Sequence, residues 1–307
     1  MASIVQTVGL KKHFGTVTAV DGIDILIDKG EIYGFLGLNG AGKTTTIRML
    51  LGMIRPDSGK AMLLGEPVSP SSLNLWNKVG YLVEIPYSYP ELTVRENLEI
   101  VRRMRFIDDR KAVDRVMEKL KIDRYRDRKA KHLSLGNGQR LGIAKAIIHN
   151  PDILILDEPA NGLDPAGIVE IRELLRDMAF NKGVTILVSS HILGEVARFA
   201  TRIGIIHEGK MVRETETNEL FRFLNRRLLI KATNITGCRE LLLKNGYTVN
   251  ETDKGDLELT GADALDHPEK VNQFLVNAGI LPSKLLVDEE DLESYFLRVI
   301  GKNGGVA

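Results

Sequence analysis

Short apolar runs separated by polar turns open the chain and predict β-strands. Residues 4–8 and 23–27 alternate between apolar and polar positions, as half-buried strands do. Residues 32–36 and 153–156 are apolar throughout, which is typical of strands buried on both faces of a parallel sheet. From residue 153 to residue 207, strand-like and helix-like segments alternate. This alternation predicts an α/β fold built on a parallel sheet.

The middle of the chain follows a helical period instead. Thr93 and Glu96 have the spacing of a capping box, in which the two side chains close the start of a helix. Apolar residues continue at helical spacing to residue 120, and a further helix is predicted over residues 138–149. We therefore expect a helical subdomain, about residues 86–150, inserted into the α/β core.

The last part of the chain predicts a second, smaller domain. Residues 222–227 are rich in arginine and are interpreted as a linker. Beyond them the pattern indicates the order strand, helix, strand, strand, helix, strand and a final helix, an α+β order that resembles the ferredoxin-like module. We therefore expect a core domain over residues 1–221 and an accessory domain over residues 228–307.

Composition and charge exclude several classes of protein. The 307 residues include 42 lysines and arginines against 41 aspartates and glutamates, so no basic excess favours wrapping nucleic acid or lying on anionic lipid. The single cysteine, Cys238, cannot form a disulfide within the chain and is typical of a reducing, cytoplasmic compartment. No apolar run reaches the roughly 18 residues that a membrane-spanning helix needs. A membrane role would therefore require a partner.

A glycine-rich loop follows the buried strand at residues 32–36. It matches the pattern G-x-x-x-x-G-K-[ST], whose glycines let successive backbone N–H groups turn toward the phosphates of a nucleotide. Lys43 is expected to reach the outer phosphates, and the Thr44 hydroxyl to bind Mg²⁺. The helix after the loop favours an anion at its N-terminus. The predicted phosphate-binding residues are Gly37, Leu38, Asn39, Gly40, Ala41, Gly42, Lys43, Thr44 and Thr45.

Two acidic residues end the buried strand at residues 153–156. Asp157 and Glu158 are costly beside a buried strand unless they meet a cation. Asp157 is expected on the Mg²⁺ side, and Glu158 is expected to be the base that orients the attacking water. Acids at a strand end can also cap the next helix or pair with a lysine, but the phosphate loop favours the catalytic interpretation.

Residues 133–137, Leu-Ser-Leu-Gly-Asn, resemble the L-S-G-G-Q signature of the ATP-binding cassette (ABC) ATPases. Residues 161–164 match the family's D-loop, and His191 matches the switch histidine that hydrogen-bonds the γ-phosphate, although a histidine at a helix start is the plainer alternative. The resemblance covers about residues 4–220 in the family's motif order. It implies a P-loop NTPase core of the RecA-like type that binds ATP and Mg²⁺ and hydrolyses ATP.

The family resemblance also implies roles for residues outside the glycine loop. In ABC ATPases the signature of one copy closes over the ATP of another, which implies a homodimer. Ser134, Gly136 and Asn137 would then donate hydrogen bonds to the γ-phosphate held by the second copy. Phe14 matches the aromatic that stacks on adenine, with a core phenylalanine as the alternative, and Val20 would line the same site.

Two features depart from the general pattern of the family. Leu135 replaces the first glycine of the signature and Asn137 replaces its glutamine, so the closing face is bulkier. Glu84 stands where most members carry a glutamine; we expect it to bind Mg²⁺, with docking on an arginine of a permease as the alternative. Both variants, together with residues 89–93, resemble the branch of bacitracin- and lantibiotic-resistance exporters.

The resemblance implies the ATP-hydrolysing subunit of a transporter. It would drive a separate integral membrane permease from the cytoplasmic face of the plasma membrane, bind no nucleic acid, and export an antibiotic-like, hydrophobic or peptide substrate that the chain does not identify. The alternative is a soluble ABC ATPase acting on the ribosome or DNA; such relatives carry two cassettes or a long coiled coil, and this chain has one phosphate loop. A regulatory binding module is a third hypothesis, against which Glu158 argues.

Overall fold

The computed structural model describes residues 3–84, 86–252 and 255–301, and it divides into two compact units between Glu219 and Leu220. The strands are β1 (Ser3–Phe14), β2 (Val17–Asp28), β3 (Ile32–Leu36), β4 (Ser58–Leu63), β5 (Glu66–Pro67), β6 (Val79–Leu82), β7 (Ile153–Asp157), β8 (Thr185–Ser190), β9 (Arg202–His207), β10 (Lys210–Glu216), β11 (Arg226–Ala232), β12 (Val249–Glu251), β13 (Leu257–Leu259) and β14 (Pro282–Glu289). The helices are α1 (Lys43–Leu50), α2 (Leu73–Trp76), α3 (Val94–Met104), α4 (Ala112–Lys119), α5 (Leu135–Ile147), α6 (Pro165–Arg176), α7 (Leu193–Val196), α8 (Thr217–Leu220), α9 (Ile235–Lys244), α10 (Ala262–Asp266), α11 (Pro268–Asn277) and α12 (Leu292–Val299).

A six-stranded sheet lies at the centre of the first unit. Its order is β10-β9-β3-β8-β7-β6, and its neighbours are parallel except for β9 and β10. Every residue of β3, β7 and β8 is buried, which confirms the parallel α/β sheet predicted from the continuous apolar runs. Because parallel strands end at the same edge, the residues that follow these three strands lie close together.

An antiparallel sheet of order β2-β1-β4-β5 packs within the same unit. Ile23, Ile25 and Ile27 of β2 lie in one core cluster with Tyr33 and Phe35 of β3. β1 and β2 extend well beyond the predicted alternating segments because they form a hairpin whose register shifts at several bulges. The hydrophobic pattern does not reveal β4 and β10, since most of their residues are exposed or half-buried.

The helical subdomain contains α3, α4 and α5. Thr93 accepts a hydrogen bond from the backbone N–H of Glu96, and the Glu96 carboxylate accepts one from the backbone N–H of Thr93, which confirms the capping box. α5 begins at Leu135, three residues before the predicted start, because the Ser134 hydroxyl caps it by accepting a hydrogen bond from the backbone N–H of Asn137. This cap places the signature residues at the N-terminus of a helix.

The second unit is built on a four-stranded antiparallel sheet of order β12-β13-β11-β14. The strand and helix order agrees with the predicted ferredoxin-like order, and α10 is an additional short helix. Leu228 and Ile230 of β11 lie in a core that also contains the buried Cys238. Arg226 and Arg227, which the sequence assigns to a linker, belong instead to β11, because Arg227 forms ion pairs with neighbouring strands.

The search for membrane-spanning segments gave a negative result. Among the described residues, no helix is both long enough and apolar enough to cross a membrane.

Candidate active site

The glycine loop between β3 and α1 lies directly against neighbouring backbone. A Cβ at Gly37 would lie 2.6 Å from the Ile206 carbonyl oxygen, and a Cβ at Gly42 would lie 2.5 Å from the Ala19 carbonyl oxygen. Gly42 also has a φ of 109°, which residues with a Cβ rarely adopt. Among the described residues, no side chain caps α1, so the N–H groups of its first turn are available to a ligand. The loop therefore fits a phosphate held by backbone N–H groups.

Lys43 is the first residue of α1 and is only 6% exposed. Its ammonium group donates hydrogen bonds to the carbonyl oxygens of Gly37 at 2.6 Å and Leu38 at 3.3 Å. It also lies 3.3 Å from Oε1 of Glu158, a buried oxygen without a hydrogen-bond partner among the described residues. The structure thus contains the lysine–acid pair of the alternative interpretation. The Lys43 ammonium also lies at the end of the phosphate loop, so a bound phosphate would interact with it as Glu158 does.

Thr44 and Asp157 bring two oxygen ligands together from separate elements. The Thr44 hydroxyl donates to Oδ2 of Asp157 at 2.7 Å, and the Ser189 hydroxyl donates to Oδ1. Asp157 is 3% exposed, so its orientation is fixed by these contacts. Hydroxyl and carboxylate oxygens are the ligands that Mg²⁺ prefers. The described residues contain no cluster of three or more His, Cys, Asp or Glu, so a metal here would take its other ligands from phosphate and water.

The backbone of Glu158 is held on both sides. Its N–H donates to the Ser189 hydroxyl at 3.0 Å, and its carbonyl oxygen accepts a hydrogen bond from Nε2 of Gln139 at 3.1 Å. Its φ is 49°, in the left-handed region that residues with a side chain avoid unless their surroundings hold them there. Oε2 lies 2.9 Å from Nδ1 of His191. The structure therefore brings the predicted base and the predicted switch histidine into direct contact.

The signature residues lie beside the D-loop of the same chain. Nδ2 of Asn137 donates to the Ser134 hydroxyl at 3.0 Å. A Cβ at Gly136 would lie 2.7 Å from the carbonyl oxygen of Gly162, and a Cβ at Gly162 would lie 2.4 Å from Cγ of Leu135. The Leu135 side chain is 66% exposed, and its Cβ and Cγ atoms pack over Gly162. The leucine at this signature position is accommodated because residue 162 has no side chain.

The two residues proposed for adenine binding differ in their exposure. Phe14 is 50% exposed at the end of β1, 5.5 Å from the Lys12 ammonium to the ring centroid. Lys12 and the backbone N–H of His13 both hydrogen-bond Asp57 and lower its pKa to about 2, which anchors this strand end. Val20 is completely buried in the core. A contact between the Val20 side chain and a base stays a prediction that this burial does not favour.

Glu84 lies at the carboxyl end of β6 and is paired within its own chain. Its carboxylate forms an ion pair with the Arg48 guanidinium of α1, and the Glu84 side chain is 55% exposed. Glu84 also has a positive φ, 58°. Binding of Mg²⁺ by Glu84 stays a prediction, and it would compete with Arg48 for the same carboxylate.

Two residues of the site were missed by reasoning from the sequence. Ser189 and Gln139 are both buried. Ser189 holds the Asp157 carboxylate and the Glu158 backbone N–H, and Gln139 holds the Glu158 carbonyl oxygen. The sequence does contain a signal for Ser189. Serines 189 and 190 end the apolar strand β8, just as the acids end β7, and in the sheet Asp157 is paired with Ser189. Gln139 gives no such signal, since its role depends on how α5 packs.

Comparison with known proteins identifies the family. The model of the family "ABC transporter" matches residues 20–161. The chain is 39% identical to the bacitracin transport ATP-binding protein BcrA of Bacillus licheniformis, over 98% of each protein. This chain belongs to the ABC transporter ATP-binding family. It is also 39% identical to the lantibiotic transport ATP-binding protein SrtF of Streptococcus pyogenes, over 67% of this chain and 88% of that protein.

Solved structures agree with this membership in the family. A dimeric bacterial ABC transporter cassette has a TM-score of 0.65 at 25% identity, covering 70% of this chain and 99% of the cassette. This confirms the P-loop fold expected from the signature. As an ABC ATPase, the chain binds ATP and hydrolyses it to power transport.

Proposed function

We propose that this chain is the ATPase subunit of an exporter, that two copies close around two ATP molecules, and that each site uses Mg²⁺. The observation that carries the catalytic assignment is that the start of α1 meets the end of β7 in two contacts: Thr44 hydrogen-bonds Asp157, and Lys43 forms an ion pair with Glu158. Such positioned charges supply most of the catalysis in phosphoryl transfer.

Each residue has a distinct task in this mechanism. The N–H groups of the glycine loop and the Lys43 ammonium would bind the phosphates, while Thr44 and Asp157 would hold Mg²⁺, which neutralises developing phosphate charge. Glu158 would accept a proton from the attacking water, and His191, 2.9 Å from Oε2, would orient that carboxylate and reach the γ-phosphate. For this to occur, Lys43 must exchange its contact with Glu158 for contacts with phosphate.

The dimer proposal rests on the exposed end of α5. Ser134 is exposed and Asn137 is half-buried at a helix N-terminus, which favours a negatively charged group such as a γ-phosphate. The Leu135 side chain, two-thirds exposed, would be covered on closure. The solved cassette that resembles this chain is dimeric, which supports the same assembly here.

An exposed apolar surface supports docking on a membrane permease. Tyr87, Met104 and Phe106 are 75%, 70% and 87% exposed, and the first two line a cavity of about 440 Å³ between β6 and α3. Lys145 donates to the Tyr87 carbonyl oxygen and the Ser88 hydroxyl at 2.9 Å, and burial lowers the pKa of Lys145 to about 8. The segment that carries Tyr87 is therefore held in place, and an exposed apolar patch of this kind is typical of a protein interaction site.

The transported molecule is proposed from the relatives alone. Full-length similarity to a bacitracin transport protein, and partial similarity to a lantibiotic transport protein, support export of an antibiotic-like peptide through a permease at the cytoplasmic face of the membrane. The alternative, action on the ribosome or DNA, is not supported, because these relatives are named for transport.

Replacing the proposed base tests the mechanism and the dimer together. Glu158→Gln should keep ATP binding, lower hydrolysis by about 10²–10⁴-fold, and accumulate a dimer with ATP and Mg²⁺, since removing a general base leaves the phosphate contacts intact. Lys43→Ala is the control and should lose ATP affinity and the dimer. The measurements are ATPase rate, calorimetric titration and light scattering. A Glu158→Gln variant that hydrolyses ATP normally, or stays monomeric at saturating ATP, would contradict the proposal.

A further inference from the structure

β14 is the longer edge of the sheet in the second unit. It has eight residues, whereas β12 at the opposite edge has three. A long edge strand presents a row of backbone N–H and C=O groups that can pair with another strand. Proteins commonly prevent such pairing with short edges, bulges or prolines in the strand. In β14 the proline, Pro282, is the first residue and a register shift lies at Ser283, so residues 284–289 form the regular part of the edge that is able to pair.

The side chains of β14 alternate between two faces of the sheet. Leu285 and Val287 pack on the core of the second unit. Lys284, Leu286 and Asp288 therefore lie on the other face, called here the outer face, where Leu286 is 45% exposed. The order along this face is base, apolar residue, acid. When two such strands run antiparallel, each base lies opposite an acid and the apolar residues lie opposite each other.

We propose that β14 of one copy pairs antiparallel with β14 of a second copy, with Leu286 opposite Leu286. In this register, Lys284 of each copy lies opposite Asp288 of the other on the outer face. Leu285 lies opposite Val287 on the core face, so both faces match. A shift of one residue would place outer-face residues against core-face residues, and shifts of two would separate Lys284 from Asp288. The two sheets would join into one across a two-fold axis.

Charges within the sheet favour this arrangement. Asp288 lies opposite Arg227 in β11 and forms an ion pair with it at 2.9 Å. Lys284 lies opposite Lys231, a like-charge pair that destabilises a sheet. Among the described residues, no carboxylate forms an ion pair with Lys284. The second copy's Asp288 would supply that carboxylate and offset the repulsion from Lys231.

The register predicts which substitution prevents pairing. Lys284→Glu and Lys231→Glu each convert the Lys231–Lys284 pair within one chain into an opposite-charge pair, so both variants should fold at least as stably as wild type. Only Lys284→Glu places an acid against Asp288 of the second copy, and it does so twice across the two-fold axis. Replacing two attractive pairs by two repulsive ones should weaken self-association about tenfold.

The test uses the full chain without nucleotide and with a chelator. Under these conditions ATP-dependent closure does not contribute to self-association. Sedimentation at increasing concentration should show a wild-type monomer–dimer equilibrium, a dissociation constant about tenfold higher for Lys284→Glu, and one within twofold of wild type for Lys231→Glu. A wild-type chain that stays monomeric at 100 μM (about the highest practical concentration), or equal effects of the two substitutions, would overturn the proposal and leave the strand for a different partner.

Cross-linking tests the register directly. Opposed side chains on paired strands have Cβ atoms about 4.5–5.5 Å apart, so Leu286→Cys chains should form a covalent dimer when oxidised with copper phenanthroline. Lys231→Cys, on the same face but one strand from the axis, is the matched control and should not. The native Cys238 is buried and should stay reduced in both. Failure of Leu286→Cys to cross-link in the nucleotide-free chain would also overturn the proposal.

Discussion

The two units differ in where they keep their polar side chains. Among the described residues, every buried serine, threonine, asparagine, glutamine or charged side chain lies in the first unit. In the second unit, charged groups pair at the surface instead, as Arg227 does with Glu258 and Asp288 and as Arg298 does with Glu290. Burying a polar group costs free energy unless hydrogen bonds compensate for it. Burying these polar groups therefore costs the first unit free energy that an apolar core would not cost. Several of the buried polar groups lie at the proposed ATP site.

Several of the buried polar groups of the first unit serve the proposed chemistry, whereas the apolar core of the second unit serves its packing. Lys43, Gln139, Asp157 and Ser189 are buried and bonded to one another or to Glu158 and the loop, so each has a fixed orientation. Fixed groups need no reorganisation when charge develops on a phosphate. The second unit has an apolar core and a paired surface, which suits a structural or binding role. Substitutions should therefore affect the two units in different ways.

The largest expected effect comes from the core of the second unit. Ile230 is fully buried in β11, and Ile230→Ala should lower the free energy of unfolding of this unit by about 2–5 kcal/mol because it leaves a cavity. ATP affinity should stay within twofold of wild type. Ile155→Ala in β7 is the matched control, and it should lower both stability and ATP affinity. Thermal unfolding and calorimetric ATP titration are the measurements; equal loss of ATP affinity in the two variants would contradict the separation.

The next effect concerns a positioning residue of the first unit. Gln139→Leu removes the hydrogen bond to the Glu158 carbonyl oxygen while keeping a buried side chain of similar size. Because small misplacements of a catalytic group are costly, kcat should fall about 10–100-fold. ATP affinity should be unchanged, since the hydrogen bond that is lost goes to Glu158 and not to the glycine loop.

A lower kcat with unchanged ATP affinity would show that Gln139 positions Glu158, because general destabilisation of the site would lower both. Ser189→Ala removes the hydroxyl that holds Asp157 as well as the Glu158 N–H, so it should also raise the Mg²⁺ requirement. Steady-state kinetics with ATP and Mg²⁺ titrations measure both effects. A Gln139→Leu variant with wild-type kcat would mean that Glu158 keeps its backbone conformation without this contact.

Much of the first unit could be predicted because its signals are local. The phosphate loop, the acids at the end of β7 and the capping box at Thr93 each depend on residues within a few positions of one another. Buried parallel strands are continuous apolar runs, and β3 and β7 were found for that reason. Such local patterns determine which loops meet at the edge of the sheet.

Contacts between distant residues could not be predicted. Gln139 reaches the Glu158 carbonyl oxygen only because α5 packs beside the strand end, and Arg48 reaches Glu84 across 36 positions of the chain. Leu135 looks obstructive in the signature, yet it fits over Gly162. Val20 looks like a site residue and is buried. Each outcome depends on the packing of two elements, which neither spacing nor hydrophobic period reports.

A smaller effect concerns the stability of the first unit in acid. His149 lies at the end of α5, and burial, together with the nearby Arg105, lowers its pKa to about 4, although a hydrogen bond to the Val79 carbonyl oxygen opposes this shift. The unfolded chain therefore takes up a proton at about pH 6.5 while the folded chain does not. Stability contributed by this site should be constant above pH 6.5 and fall progressively between pH 6.5 and 4.

Replacing His149 checks the sign of this pH dependence. His149→Gln cannot take up a proton, so the slope of unfolding free energy against pH between 6.5 and 4 should become shallower for the first unit. Denaturant unfolding at several pH values is the measurement. Equal slopes in wild type and His149→Gln would mean that the ring is protonated in the folded chain.

The smallest effect concerns Glu84, where an ion pair and a metal compete for one carboxylate. Glu84 pairs with Arg48 at the surface, and such pairs contribute roughly 0.2–1 kcal/mol, which corresponds to about 1.4- to 5-fold in an equilibrium constant. If Glu84 contributes to Mg²⁺ binding, Glu84→Gln should raise the Mg²⁺ concentration for half-maximal ATPase activity by a factor in this range. Arg48→Gln should lower it, because it frees the carboxylate. Opposite shifts in the isolated subunit would support the metal role, since mere loss of the ion pair would move both variants in the same direction. Two Mg²⁺ titrations that overlay wild type, with a defect only when a permease is present, would instead support the docking role.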